Sequence, residues 1–490
     1  MPSRPALALL ACAVLVAGGT AAVAAPPTSA PATRATLATI EPSLLDAGMQ
    51  RGFVEFTRTP TAADVNALLA LGAVKVHPFR LVPQVAFVAP ATAIRAIAAL
   101  PFAVRLQEDH GVRMQLDESK KAIGATAVRA AKPKGLGLTG KGVNVAVIDT
   151  GVDRTHPDFA NLKHAYNTEF AWLTEPVQDG LYGQQAFELT EQYGGIDENG
   201  HGTHVASTVG GQGKAAKDAG LKEDLSGVAP GAGLVTYKIA GASQTGADLG
   251  WEQNAMVAIE HIVENEKTLK IKIVSNSWSI YEVDDPDVEP TIQIIKAASK
   301  RGVLFVFAAS NDGPADQTVG WPGATGEVIT VGSTVRTKPY GMSSFSSRGY
   351  QVDVAAPGSS ITAARSKLAS YTPASRLGSA APLYAAISGT SMATPHVAGL
   401  LALIAEANPR LTAQQLNEVL ERTTVDLGEP GKDHSYGWGF VDVVRAAKVA
   451  QCLLGRPGAE ACFTAQRALP RTVWSLDWAD KGNKSRTSQS

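Results

Sequence analysis

The chain has 490 residues, of which 45% are hydrophobic and 18% charged, and its net charge is −1. That length exceeds one average domain and suits two or three. A balance this close to neutral leaves no electrostatic footprint for nucleic acid or an anionic membrane, so neither is expected as a partner.

The first segment reads as an address. Arg4 precedes the run ALALLACAVLVAGGTAAVA, and Ala22-Val23-Ala24 fits a small-x-small cleavage site, so residues 1–24 are expected to be a secretory signal. The strongly apolar part is short for a membrane span, Pro26 and Pro27 follow at once, and no later segment has the length of a transmembrane helix. The chain is therefore expected to be secreted, to an extracellular or periplasmic space. Removing the signal takes Cys12 and leaves Cys452 and Cys462. In an exported chain a disulfide between them is expected, with two unrelated thiols as the alternative.

Residues 25–44 are rich in Ala, Pro and Thr and read as a flexible lead-in. Over 45–115 the order is strand (GFVEFT), helix (TAADVNALLALGA), two strands (VKVHPFRLVPQVAFVAP), helix (ATAIRAIAAL) and strand (FAVRLQEDHGVRM). That is the order of a small ferredoxin-like α+β unit. Next comes GLGLTGKG, Gly135 to Gly142, which matches Gly-x-Gly-x-x-Gly. Nucleotide loops place a strand before the glycines and a helix after them. Here an Ala-rich, non-strand stretch precedes and VNVAVID follows, so the glycines are expected to be a turn that launches a buried strand ending at Asp149.

Within 116–450, short apolar strands (VNVAVID, LVTYKIA, IKIVSNS, GVLFVFAAS, VITVGS) alternate with helical stretches such as WEQNAMVAIEHIVENE and TIQIIKAASKRG. The fold expected is α/β, a doubly wound, mostly parallel sheet with helices on both faces and its site at the carboxyl ends of strands. Residues 451–490 read as a polar tail.

Three segments carry chemistry: VIDTGVDRTHPDF with Asp149 at a strand end, GHGTHVAS with His201, and SGTSMATPHVAGLLALIAEA with Ser391 at the start of an apolar helix. Acyl transfer to serine needs a hydroxyl, a base for its proton, an acid to orient the base, and donors for the oxyanion. Taken singly, Ser391 reads as an N-cap and Asp149 as a turn residue. Taken together, the blocks Asp149-Thr150-Gly151, His201-Gly202-Thr203-His204 and Gly389-Thr390-Ser391-Met392-Ala393 resemble the three signatures of the subtilisin-like serine peptidases (subtilases). The order Asp, His, Ser separates them from chymotrypsin-like enzymes and α/β-hydrolases.

The resemblance implies that Asp149 orients His201, that His201 is general base and then acid, and that Ser391 is the nucleophile. It implies Asn311 as oxyanion donor, with Ser310 replacing the family's glycine before it. It implies a first pocket walled by Ser277-Trp278-Ser279, where Ser279 replaces the family's glycine, and by Ala308-Ala309-Ser310, with Gly320 as a floor leaving room for a sizeable apolar side chain and the two serines narrowing the rim. It also implies a cis Trp321-Pro322 bond. The 45–115 unit resembles the family's inhibitory propeptide, a partner in cis, with self-cleavage near Gln115. Peptides or proteins are the expected substrates, and no cofactor is needed for catalysis. Neither His204 nor its neighbours form a metal motif. Acids scattered over 169–198 raise structural calcium, but no regular ligand loop supports it, and a solvated insertion is the expected reading. Alternatives on the same sequence are an exopeptidase, a narrow processing protease and a catalytically silent binding protein.

Overall fold

The computed structural model describes residues 38–40, 42–78, 84–108, 116–132, 135–168, 195–242, 248–250, 252–280, 290–369, 382–454 and 459–466. The expected signal, the bulk of the 169–198 insertion and the expected cut near Gln115 lie outside them. The chain divides into two compact units, Met1–Gly111 and Val112–Ser490.

The first unit contains β1 (Thr39–Ile40), β2 (Met49–Phe56), α1 (Ala62–Ala70), β3 (Lys75–Pro78), β4 (Gln84–Pro90), α2 (Ala91–Ala98) and β5 (Ala103–Glu108). The sheet order is β1-β5-β2-β4-β3, and apart from the parallel β1 its pairs are antiparallel. Without β1 this is the ferredoxin-like order expected; β1 and the buried Ala38 and Leu44 lie within 25–44, so the end of that stretch is part of the packed unit and not the flexible lead-in expected. Alternate strand residues Val54, Phe56, Val85, Phe87 and Leu106 meet Leu68 of α1 and Ile94 and Ile97 of α2 in one core.

The second unit opens with α3 (Leu116–Ala122) and α4 (Ala125–Arg129), then β6 (Asn144–Asp149), β7 (Leu162–Asn167), α5 (His201–Gly210), α6 (Lys214–Asp218) and β8 (Gly233–Lys238). A hairpin of β9 (Ala240–Ala242) and β10 (Asp248–Gly250) leads to α7 (Glu252–Glu264), α8 (Glu266–Leu269), β11 (Ile271–Asn276), α9 (Pro290–Lys300) and β12 (Leu304–Ala308). The chain continues through β13 (Ile329–Thr334), β14 (Val354–Pro357), β15 (Ile361–Ala364), β16 (Tyr384–Ile387), α10 (Thr390–Ala407), α11 (Ala413–Arg422), α12 (Val443–Leu453) and α13 (Ala459–Ala465).

Seven parallel strands form the central sheet in the order β14-β13-β12-β11-β6-β8-β7. Successive residues of a strand point to opposite faces. Val145 and Val147 accordingly face the core built on α5, α10 and α12, while Ala146 and Ile148 face the one built on α7 and α9. From β6 the chain crosses to the edge strand β7, steps back to β8 and then passes to β11 on the other side of β6, so the strand order reverses at β6. Ligand crevices in doubly wound folds open at that place, beyond the carboxyl ends of the strands.

The glycine turn delivers β6 as expected. Gly137, Gly140 and Gly142 all have positive φ, which glycine adopts without steric cost. The backbone N–H groups of Thr139 and Gly140 each donate to Glu406 Oε2 of α10 at 2.6 Å. The anion held by this loop is a carboxylate of the same chain.

The expected tail needs correction. α12 runs to Leu453, and α13 follows with Cys462 and Phe463 buried. A disulfide joins Cys452 to Cys462 with Cα atoms 5.7 Å apart. Arg422 lies 3.7 Å over the Phe463 ring and pairs with Glu418 at 2.9 Å and Glu460 at 2.7 Å. Apolar residues in a polar stretch mark this packed helix, which composition alone hides.

Two buried histidines brace α5 and α10. His204 Nε2 is 2.8 Å from the Ile361 carbonyl, and His396 Nε2 is 2.8 Å from Ser119 Oγ. Burial pushes His204 down to about 3 and His396 down to about 4. In the unfolded chain both titrate near the ordinary value of about 6.5. Below that pH the unfolded chain binds protons that the folded one refuses, so stability is lost as pH falls from about 6.5 towards 4. The expected slope is about 1.4 kcal/mol per pH unit for each histidine. Denaturant midpoints at pH 7, 6 and 5 should fall accordingly, and the fall should be shallower in His396→Gln; a flat profile would contradict the assignment.

Candidate active site

Asp149 is buried at the carboxyl end of β6, and His201 is the first residue of α5. His201 Nδ1 lies 2.7 Å from Asp149 Oδ1. A proton on Nδ1 is thereby held against the carboxylate, and Nε2 is left as the basic nitrogen. Thr150 N donates to the same oxygen at 2.8 Å. The helix comes close because residue 202 is glycine: a Cβ there would collide with the Gly151 carbonyl and lie 3.1 Å from Asp149 Oδ1.

Asp197 holds the two loops together. Its Oδ1 accepts from Thr150 Oγ1 at 2.9 Å and Gly200 N at 2.8 Å, and its Oδ2 accepts from Thr203 N at 2.8 Å and Thr203 Oγ1 at 2.6 Å. Thr150 Oγ1 in turn accepts from Gly202 N at 2.8 Å. Burial raises the Asp197 pKa, against the lowering effect of these donors, Thr203 foremost. The solvated reading of 169–198 fails at this residue, which is fully buried. The available signal was an acid four residues before His201, next to the small residues of a helix start.

Ser391 is the second residue of α10, with Gly389 in the cap position, so it is not itself the N-cap. Its hydroxyl donates to the Ser277 carbonyl at 3.2 Å, and Ser277 Oγ donates to the Ser391 carbonyl at 2.9 Å. Asn311 Oδ1 accepts from Thr390 N at 2.9 Å and Thr390 Oγ1 at 3.0 Å. With its oxygen engaged, the planar amide presents Nδ2 as a donor beside the start of α10, 3.7 Å from the place of a Gly389 Cβ. Ser310, before it, keeps the positive φ (+86°) that a glycine would adopt freely. Asp149 and His201 thus form one contact, and Ser391 with Ser277 and Thr390 with Asn311 two more, at the ends of the adjoining strands β6, β11 and β12.

The remaining wall residues divide. Ser277 Oγ reaches the Ser391 carbonyl, and Ser279 Oγ lies 2.6 Å from Ser310 Oγ. Trp278 packs edge-on against Phe307, ring centroids 5.1 Å apart, over the α7–α9 core. Ala308 and Ala309 are buried, and Ala309 O accepts from Gly320 N at 3.1 Å. Gly320 offers less room than expected, because a Cβ there would strike Ser310 Oγ and lie 3.2 Å from Ser279 Oγ. The Trp321–Pro322 peptide is cis. His156 Nε2 is 2.9 Å from the Leu383 carbonyl, a structural contact. Among the described residues no group of three or more His, Cys, Asp or Glu side chains could hold a metal ion, and no helix is long and apolar enough to cross a membrane.

A parallel sheet with a helix-start serine beside its crevice places the chain among α/β serine hydrolases. The chain belongs to the subtilase family, whose model matches residues 140–439. It is similar to serine protease AprX of Bacillus subtilis, 32% identical over 67% of this chain and 73% of that protein. It is similar also to subtilisin Savinase of Lederbergia lenta, 31% identical over 66% and 98%. Among solved structures, sphericase superposes with a TM-score of 0.50 at 31% identity, covering 65% of this chain and 97% of that one. The protein is a serine endopeptidase with the subtilisin-like α/β fold.

Replacing Asp197 by Ala leaves the donors of Thr150, Gly200 and Thr203 without their carboxylate. Four donors lose their acceptor, and unsatisfied buried groups cost about 1–3 kcal/mol each, so a loss of about 4 kcal/mol or more is expected in denaturant unfolding. The far-downfield proton resonance of the Asp149–His201 hydrogen bond should broaden. An unchanged resonance and midpoint would show that Asp197 does not hold the pair.

Proposed function

We propose that the protein is a secreted endopeptidase, made as a self-processing precursor, that cleaves peptide bonds through an acyl-enzyme on Ser391. The observation that carries the reading is the 2.7 Å contact between Asp149 and His201 at the crevice where Ser391 and Asn311 also lie. In the reaction the Ser391 proton leaves the Ser277 carbonyl for His201 Nε2, and Oγ attacks the peptide carbonyl carbon. Asp149 steadies the imidazolium that forms. The carbonyl oxygen, now an oxyanion, takes hydrogen bonds from Asn311 Nδ2 and from the backbone N–H of Ser391, with the helix dipole favouring negative charge there. His201 then gives its proton to the leaving amine, and water repeats the sequence to release the acid.

Secretion is supported by the signal pattern over 1–24 and by the Cys452–Cys462 disulfide. Residues 45–115 are read as the inhibitory propeptide, supported by their separate ferredoxin-like fold. A tail that pairs with the cleft as an added strand would present the bond near Gln115 to Ser391, and tethering makes that cut effectively unimolecular.

Ser391→Ala protein should fold and be exported but persist as residues 25–490, while wild type shortens near Gln115. Maturation of the variant at the wild-type rate, in preparations free of other proteases, would assign the cut to another enzyme. Asn311→Ala should lower kcat by about 10²–10³, a magnitude established on subtilisin, with little change in KM. A loss mainly in KM would place Asn311 in substrate binding instead.

A further inference from the structure

The segments beyond β11 and β12 flank Ser391. On one side Ser277 exchanges hydrogen bonds with Ser391. On the other, Asn311 is tied to Thr390. A carbonyl carbon within reach of Ser391 Oγ and Asn311 Nδ2 sits between them. On the proposed acyl-enzyme at Ser391, the side chain of the residue that supplies this carbonyl would start one bond away and face the gap between the two segments. Two residues past Ser277, that gap is bridged: Ser279 Oγ and Ser310 Oγ lie 2.6 Å apart in a hydroxyl–hydroxyl hydrogen bond. Behind the bridge stands Gly320, already so close that a Cβ would strike Ser310 Oγ. The third side is pinned, because Gly320 N bonds to Ala309 O and Ile280 N bonds to Trp321 O at 2.7 Å.

We propose that the Ser279–Ser310 bridge is a specificity filter that shortens this pocket and favours Gly, Ala or Ser before the scissile bond in free substrates, while the tethered cut near Gln115, being effectively unimolecular, tolerates a poorer fit. The inference rests on the proposed acyl-enzyme at Ser391. A longer side chain has to part the two hydroxyls, and the polar pair then has no partner against an apolar group. The wall behind cannot retreat, since its backbone is bonded to both neighbouring segments. Ser310 holds its hydroxyl in place from a backbone with φ of +86°, a conformation costly to a residue with a Cβ. The position therefore spends strain on keeping a side chain where glycine would fit freely.

The test uses the full chain as expressed and matched chromogenic peptides that differ only in Ala, Leu or Phe before the cleaved bond. Wild type should favour Ala over Phe in kcat/KM by about tenfold or more, a discrimination within reach of a steric pocket. Ser279→Gly with Ser310→Gly should lower that ratio by about tenfold, and each single variant should lower it partway. Because the readout is a ratio, partial loss of folded protein does not affect it. Equal wild-type rates on Ala and Phe, or a ratio unmoved in the double variant, would overturn the filter while leaving the acyl-enzyme reading intact. If wild type cleaves no peptide faster than Ser391→Ala does, the acyl-enzyme reading itself fails and the filter falls with it.

Discussion

A buried carboxylate has to meet an imidazole from a residue 52 positions away in sequence, and much of the second unit is arranged to make that contact. β6 ends where the strand order reverses, which brings Asp149 to the crevice. Gly202 lets α5 approach the loop after β6 closely enough for His201 to reach it. Asp197 then ties that loop to the start of the helix through Thr150 and Thr203. A carboxylate left unpaired at this depth would be costly to desolvate. His201 and Thr150 both bond to Oδ1 and offset part of that cost, while Oδ2 is buried without a hydrogen-bond partner.

The same logic extends to α10. The helix is buried nearly all round, so its position is fixed by packing on the sheet. Its ends are fixed by polar contacts: Asn311 on Thr390 at the start, and Glu406 on the glycine turn near the finish. Because the turn that Glu406 grips is also the one that launches β6, a single helix sets the depth of both Ser391 and the strand that carries Asp149. Helix and strand ends thus set the depth of the two halves of the site, and the loop residues Thr150, Asp197, Ser277 and Asn311 fix them in place.

Much of this was legible in the sequence, for identifiable reasons. Buried parallel strands are continuous apolar runs, and β6, β8, β11, β12 and β13 read that way. Small-residue contexts marked Asp149 and His201, which lie 2.7 Å apart, and Ser391 in the first turn of α10. Short elements escaped: β14, β15 and β16 have four residues each, too few to show a period. Asp197 was hidden because an acid in an acidic, polar stretch looks solvated until its donors are seen. α13 was hidden because its few apolar residues are made significant by Arg422, a partner 38 positions away from Glu460. The glycine-to-serine departures were visible at Ser279 and Ser310, but nothing in the sequence says that the two hydroxyls meet.

The account depends on Ser391 being activated through His201. Its most direct test is reaction of the folded protein with a fluorophosphonate, followed by peptide mapping. The account predicts one adduct per chain, on Ser391, at a rate that collapses in His201→Ala. Adducts spread over other serines, or a rate on Ser391 that is the same without His201, would contradict it.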